Sequence, residues 1–197
     1  LPSRDKKKKA LKNAIVPPDG YLVMNSDSSQ IEARMVAWLA GQDDLVQLFA
    51  TGGKVYEEMA GVIFDKPASE IGKNSLERFV GKTVVLGCGY SMGAIKFRQT
   101  CIAQGTDIDE DLAQKAVKAY RSNYNMIPRL WDGLNDACLN AIMAPGLETY
   151  YRDVRFMCAD DWLMIRLPSG RKLYYRSPRI VTHSGPFGMR PAIEYMA

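Results

Sequence analysis

Asp27-Ser28-Ser29-Gln30-Ile31-Glu32-Ala33-Arg34 is the stretch on which the reading of this chain turns. It follows an apolar run, Tyr21-Leu22-Val23-Met24, and precedes a pattern with helical spacing. The run fits a short buried strand over 21–25, entered from the turn signal Pro17-Pro18-Asp19-Gly20. A carboxylate at the end of a buried strand is well placed to hold a divalent cation. Glu32, five positions on, can then guard the space beside that cation. The plainer role for Asp27 is to cap the helix that follows, a common job for Asp-Ser-Ser.

A second pattern lies downstream: Arg78, Lys82, Leu86, Gly87 and Tyr90. Asn74 or Ser75 caps a helix there, and Glu77 complements its positive end. Arg78 and Lys82 are four apart and share a face. With Leu86 and Tyr90 they make a ridge that rotates by about 40° per four residues. Cations lead to an apolar patch and then to an aromatic ring, an order along which a triphosphate, a sugar and a base could lie. Any arbitrary Arg-x3-Lys is more simply an exposed basic pair; the attached glycine and tyrosine argue for more. Gly81, Gly87 and Gly89 each cost a helix about 1 kcal/mol against alanine, so close backbone approach or a bend is expected there.

Around these patterns the chain reads as mostly helical, then as strands. Ile31, Met35, Trp38 and Leu39 share a helical face that Gly41 ends. Asp43 or Asp44 caps a second helix with Leu45, Leu48 and Phe49 on its apolar side. Val55 to Phe64 is a third, burying Val55, Met59, Val62 and Ile63. Further helices are expected over 94–104, over 109–124, and from Pro128 to the break at Ala144-Pro145-Gly146. Residues 149–156, 162–167 and 171–175 read as strands, the last two joined by Pro168-Ser169-Gly170. The fold class is α+β, a helical subdomain inserted into a part-built α+β domain.

The chain has 197 residues, enough to bury a sizeable core. No apolar run reaches about eighteen residues, so a transmembrane helix and a membrane partner are not expected. It opens Leu1-Pro2-Ser3-Arg4, without a signal-peptide pattern or a starting methionine, which points to a piece of a longer chain. Four cysteines without Cys-x2-Cys spacing, and one histidine, His183, argue against structural zinc and for reduced thiols in a cytosolic protein. The net charge of +4 permits a polyanionic partner without demanding one. Basic residues cluster at Arg4 to Lys12 and, more loosely, from Arg166 to Arg190. Solvated surface charge and phosphate contact both fit them.

The segment from Asp27 to Arg34 resembles motif A of the family A, polymerase I-like DNA polymerases. Arg78, Lys82, Gly87 and Tyr90 fall on that family's motif B spacing, Arg-x3-Lys-x4-Gly-x2-Tyr. The resemblance runs from Leu1 to about Arg179, over the start of the palm and the fingers. It implies palm over 1–40, helical fingers over 41–145, and a small antiparallel sheet over 146–197 leading back toward the palm. It implies template-directed DNA synthesis with Mg²⁺, primer-template DNA and deoxynucleoside triphosphates, with replication accessory proteins as candidate partners. The setting would be the cytoplasm of a bacterium or phage-infected host. By the same resemblance Asp27 and the Ser28 carbonyl would touch metal. Arg78 and Lys82 would hold the triphosphate, and Lys82 would protonate the leaving pyrophosphate. Leu86 would line the nucleotide pocket, Tyr90 would pack near the templating base, and Glu32 would exclude a 2′-hydroxyl while partnered by the tyrosine hydroxyl. Arg4, Arg171 and Lys172 would approach DNA.

Four departures accompany the resemblance. Leu86 stands where an aromatic is usual, Ser91 where glycine is expected, and Tyr56 where many relatives have a phosphate-touching histidine. His183 is followed by Ser184-Gly185, so motif C, with its second metal carboxylate, is absent. Asp160-Asp161 reads as surface. The chain by itself is therefore expected not to extend a primer. A single-subunit RNA polymerase of the same superfamily, or a non-catalytic nucleic-acid-binding module built on the basic clusters, are the alternatives.

Overall fold

The computed structural model describes residues 14–185 and 188–196. It divides into two compact units, Leu1–Asn125 and Met126–Ala197. Arg4, and the basic cluster from it to Lys12, lie outside the described residues.

The first unit is helical: α1 (Ile31–Ala40), α2 (Asp43–Ala50), α3 (Val55–Phe64), α4 (Leu76–Cys88), α5 (Ala94–Ala103) and α6 (Glu110–Asn123), with a short 3₁₀ turn at Ala68–Glu70. Local signals set the ends. Gly41 closes α1 at φ 64°, where the left-handed backbone suits a residue without Cβ. Ser75 Oγ accepts from the Arg78 amide at 3.1 Å, and Asp109 Oδ1 from the Leu112 amide at 2.7 Å, capping α4 and α6. The core is made by Leu45, Phe49, Val55, Met59, Ile63, Val80, Val84, Phe97 and Tyr120.

Several expectations fail in this unit: Val62 is exposed on α3, and α2 starts at Asp43 after Gln42 with no side-chain cap. Residues 21–25 form no strand, and Tyr21, Leu22, Val23 and Met24 are exposed. A strand exists through the ladder it shares, and no described strand pairs with this run. Asp27 therefore sits on exposed irregular backbone, not at the end of a buried strand. On α1 the buried residues are Ala33, Ala37 and Ala40, while Ile31, Met35 and Trp38 are exposed. The small side chains face inward, and the large ones that drew the periodicity face out.

The second unit packs α7 (Met126–Met143) on a sheet of β1 (Thr149–Tyr151), β2 (Val154–Ala159), β3 (Trp162–Arg166), β4 (Lys172–Gly185) and β5 (Gly188–Met196). Every neighbour is antiparallel and the order is β1-β2-β3-β4-β5. Helix α7, grouped with the helical block in the sequence reading, places Ala137, Cys138 and Ala141 against Phe156 and Leu163. Thr149 Oγ1 donates to the Ala137 carbonyl at 2.6 Å. The strand expected over 149–156 is split by a turn at Arg152, and β4 runs ten residues past the expected end at 175. Strand β5 is absent from the sequence reading. Asp160 and Asp161, both at positive φ, turn β2 into β3. Asp161 then braces a bulge in β4, accepting from Ser177 Oγ at 2.7 Å.

The observed architecture is mixed helix and antiparallel sheet, as the α+β reading requires at that level. No described helix is long and apolar enough to cross a membrane.

Candidate functional site

Helices α3 and α4 pack closely because Gly81 has no side chain. A methyl there would collide with the Tyr56 carbonyl oxygen and lie 2.9 Å from Ala60 Cβ and 3.0 Å from its nitrogen. The close approach lays the basic edge of α4 over Tyr56. The Arg78 guanidinium carbon is 5.6 Å from the centre of that ring and the Lys82 ammonium nitrogen 6.0 Å. Cations at such a separation are drawn to the ring face. Tyr56 is 9% exposed, so its place here is beneath the cations, not reaching out.

Arg78 is held from two further directions. Its Nε donates to Glu57 Oε1 at 2.7 Å, and its Nη1 to the Lys73 carbonyl at 3.4 Å. Arg78 and Glu57 keep only 25% and 13% of their side chains exposed. Lys82 is exposed and forms no ion pair among the described residues. Sequence reasoning missed the Glu57 support, because Glu57 and Arg78 are 21 positions apart.

Leu86 continues the ridge, half-buried. Tyr90 leaves it: α4 ends at Cys88 and the tyrosine lies in the following turn, its amide donating to the Gly87 carbonyl at 3.1 Å. The Glu32 carboxylate beside the Tyr90 hydroxyl, with slight burial, raises the phenol above its ordinary value of 10.0. Both residues are exposed, so Glu32 is not a buried carboxylate. Ser91 follows at φ 59°, left-handed backbone that glycine adopts more readily.

The segment after Asp27 is tied to the helices by Arg34. Its Nε donates to the Ser29 carbonyl at 3.1 Å and its Nη1 to the Phe49 carbonyl at 3.3 Å, with the guanidinium carbon 4.8 Å from the Phe49 ring centre. Asp27 does not cap α1: the residue before that helix is Gln30, in left-handed conformation with no side-chain cap. Among the described residues no three His, Cys, Asp or Glu side chains gather to hold a metal. Asp27 and the Ser28 carbonyl, which also receives the Ile31 amide at 3.4 Å, offer two hard oxygen donors. A Mg²⁺ site usually takes one or two carboxylates completed by water and phosphate oxygens.

In the second unit Arg171 and Lys172 are exposed at the tip of the β3–β4 hairpin. His183 lies on β4, 3.9 Å from Glu194. Neither carboxylate of Asp160-Asp161 belongs to a metal cluster.

The profile of DNA polymerase family A matches residues 1–151. The chain belongs to DNA polymerase family A. Among family A relatives, the DNA polymerase of Bacillus phage SP02 is 32% identical over 170 residues, covering 86% of this chain and 26% of that protein. DNA polymerase I of Pseudomonas aeruginosa is 27% identical over 197 residues, all of this chain and 18% of that one. Among solved structures, the POL domain of Pol1 from M. smegmatis, in complex with DNA primer-template and dNTP, has the same fold over 77% of this chain and 25% of its own. Its TM-score is 0.57 at 23% identity. This family A chain thus spans about a quarter or less of the length of each of these relatives.

Proposed function

We propose that this family A chain serves template-directed DNA synthesis, the addition of deoxynucleotides to a primer 3′-end. One observation carries the reading: a pre-placed cation pair, Arg78 and Lys82 over Tyr56, along the basic edge of α4. The relative solved with primer-template and dNTP supports the same assignment of partners.

In this reading residues 1–40 begin the palm, 41–145 are the fingers, and 146–197 lead back toward the palm. Arg78, braced by Glu57 and the Lys73 carbonyl, and Lys82 bind the triphosphate. Their fixed placement is the useful property, since a group already positioned loses little freedom when the ligand arrives. Lys82, the freer of the two, carries the proton to the departing pyrophosphate. Leu86 gives the sugar and base an apolar wall without a π-face. Tyr90 packs near the templating base, and Glu32, beside its hydroxyl, occupies the space a 2′-hydroxyl would need. Asp27 and the Ser28 carbonyl would hold Mg²⁺, which when bound activates the attacking oxygen and clamps the triphosphate. Arg4, Arg171 and Lys172 contact DNA.

Primer extension by the full-length protein tests the reading. Deoxynucleotides should be strongly preferred, Lys82→Ala should abolish extension, and Glu32→Ala should admit ribonucleotides. Preference for ribonucleotides in the wild type, or full activity of Lys82→Ala, would sink it.

A further inference from the structure

The face of the sheet opposite α7 carries a pattern that these roles do not use. Cross-strand register puts Tyr150, Arg155, Arg166 and Lys172 in one row over four strands. Met157, Met164 and Tyr174 make the next row, and Ala159, Trp162 and Arg176 the one after. Like charges directly opposite one another destabilise a sheet, and Arg166 stands between two. Arg155 is relieved by Glu148 at 2.6 Å, and Arg176 approaches Asp161 at 3.8 Å. Arg166 and Lys172 are exposed and form no ion pair among the described residues. The fold thus holds two cations side by side with no internal anion to offset them.

The neighbouring rows supply aromatic surface. Trp162 and Tyr174 meet edge to face with centroids 6.4 Å apart, yet stay 40% and 55% exposed. With Ala159, Asp160 and Met164 they line an open cleft of 330 Å³. Two residues along a strand advance about 7 Å, so the cation row and the Tyr174 row are separated by roughly the reach from a phosphate to its own base. An unpaired nucleic-acid strand needs this combination: cations that displace counterions from phosphates, and rings on which bases stack. A duplex offers the phosphates but hides the base faces.

We propose that this sheet face binds single-stranded nucleic acid, with phosphates on Arg166 and Lys172 and a base in the Trp162–Tyr174 cleft. Lys172 is shared with the DNA contacts above, and the inference rests on that reading only for naming the strand as DNA.

Fluorescence anisotropy of a labelled oligothymidylate of about a dozen nucleotides, titrated with this chain, tests it. Trp162→Ala and Tyr174→Ala should each weaken binding by about fivefold or more, while Trp162→Phe, which keeps a ring, should restore most of it. Replacing Arg166 and Lys172 by Gln should flatten the dependence of log affinity on log salt by about 0.7 per lost contact. A duplex of equal length should bind more weakly. Unchanged affinity in the two alanine variants, no oligonucleotide binding by the wild type, or equal displacement by polyglutamate would overturn the proposal. Loss of dTTP binding in Arg78→Ala with Lys82→Ala tests the nucleotide site separately, so either idea can fall alone.

Discussion

Arg78 Nε lies 2.7 Å from Glu57 Oε1, joining the first turn of α4 to the first turn of α3. A cation near a helix N-terminus faces the positive end of the dipole, and the glutamate offsets that. Glu57→Ala should destabilise the protein by about 1–2 kcal/mol, the value of a charge-assisted bond discounted for partial exposure. Urea unfolding measures it. Triphosphate affinity should fall as well, although the site becomes more positive; tighter binding would mean that Glu57 competes with phosphate instead of placing Arg78.

Two glycines of α4 should respond oppositely to the same substitution. Gly81→Ala drives a methyl into the α3 backbone at Tyr56 and Ala60, and overpacking of that kind costs about 1–3 kcal/mol. Gly87→Ala meets only the Met92 sulfur and terminal methyl, 2.9 Å away at the end of a flexible side chain. That variant should be neutral or gain up to about 1 kcal/mol of helix propensity. Thermal unfolding of the pair distinguishes them.

Ser91 sits at φ 59° where family A chains are expected to carry glycine. A left-handed residue with a Cβ costs about 1–2 kcal/mol. Ser91→Gly should recover part of that, about 0.5–1 kcal/mol after the added freedom of the unfolded chain is subtracted. A fall in stability would mean that the serine side chain has a role of its own.

The helical unit was largely legible in the sequence, because its boundaries depend on neighbours in the chain. Ser75, Asp109 and Gly41 act within one helical turn, so their types alone reveal the ends. Burial was less legible. Periodicity picks out large apolar side chains, whereas α1 turns its alanines inward. The strand expected at 21–25 failed for a related reason: hydrophobicity describes a segment, but a strand belongs to a pair. Strand β5 and the far half of β4 were hidden by Arg, Ser, Pro and His, residues that a wet, bulged antiparallel pair tolerates. Within the candidate site, Arg78 and Lys82 were readable as a helical pair. Tyr56 and Glu57 were not readable as their supports, since only tertiary packing brings α3 under α4.

The Tyr90–Glu32 contact has a pH signature. Glu32 favours the protonated phenol, so Tyr90 should ionise above the ordinary value of 10.0, and Glu32→Gln should bring it down. A raised folded-state value means the contact's contribution to stability is complete below pH 10 and is lost as pH rises through the folded value. NMR of specifically labelled tyrosine reads the shift.

Burial pushes the Cys88 thiol up to about 12, and the Cys101 and Cys138 thiols to about 11. The reactive species is the thiolate, so disulfide reagents at pH 8 should leave these three unmodified until the protein unfolds. Stability from their neutral burial is complete below about pH 9 and declines as pH climbs toward 11 and 12. Rapid labelling of the native chain at pH 8 would contradict this.

The empty place at Gly81 has a consequence for distance as well as for stability. With no methyl to prop the two helices apart, the guanidinium, the ammonium and the phenol ring are forced into one stack whose height is fixed by backbone. Any larger residue there would lift the charges off their aromatic seat together, leaving both present and both misplaced. The spacing of the two cations over their ring is thus set by an amino acid with no side chain.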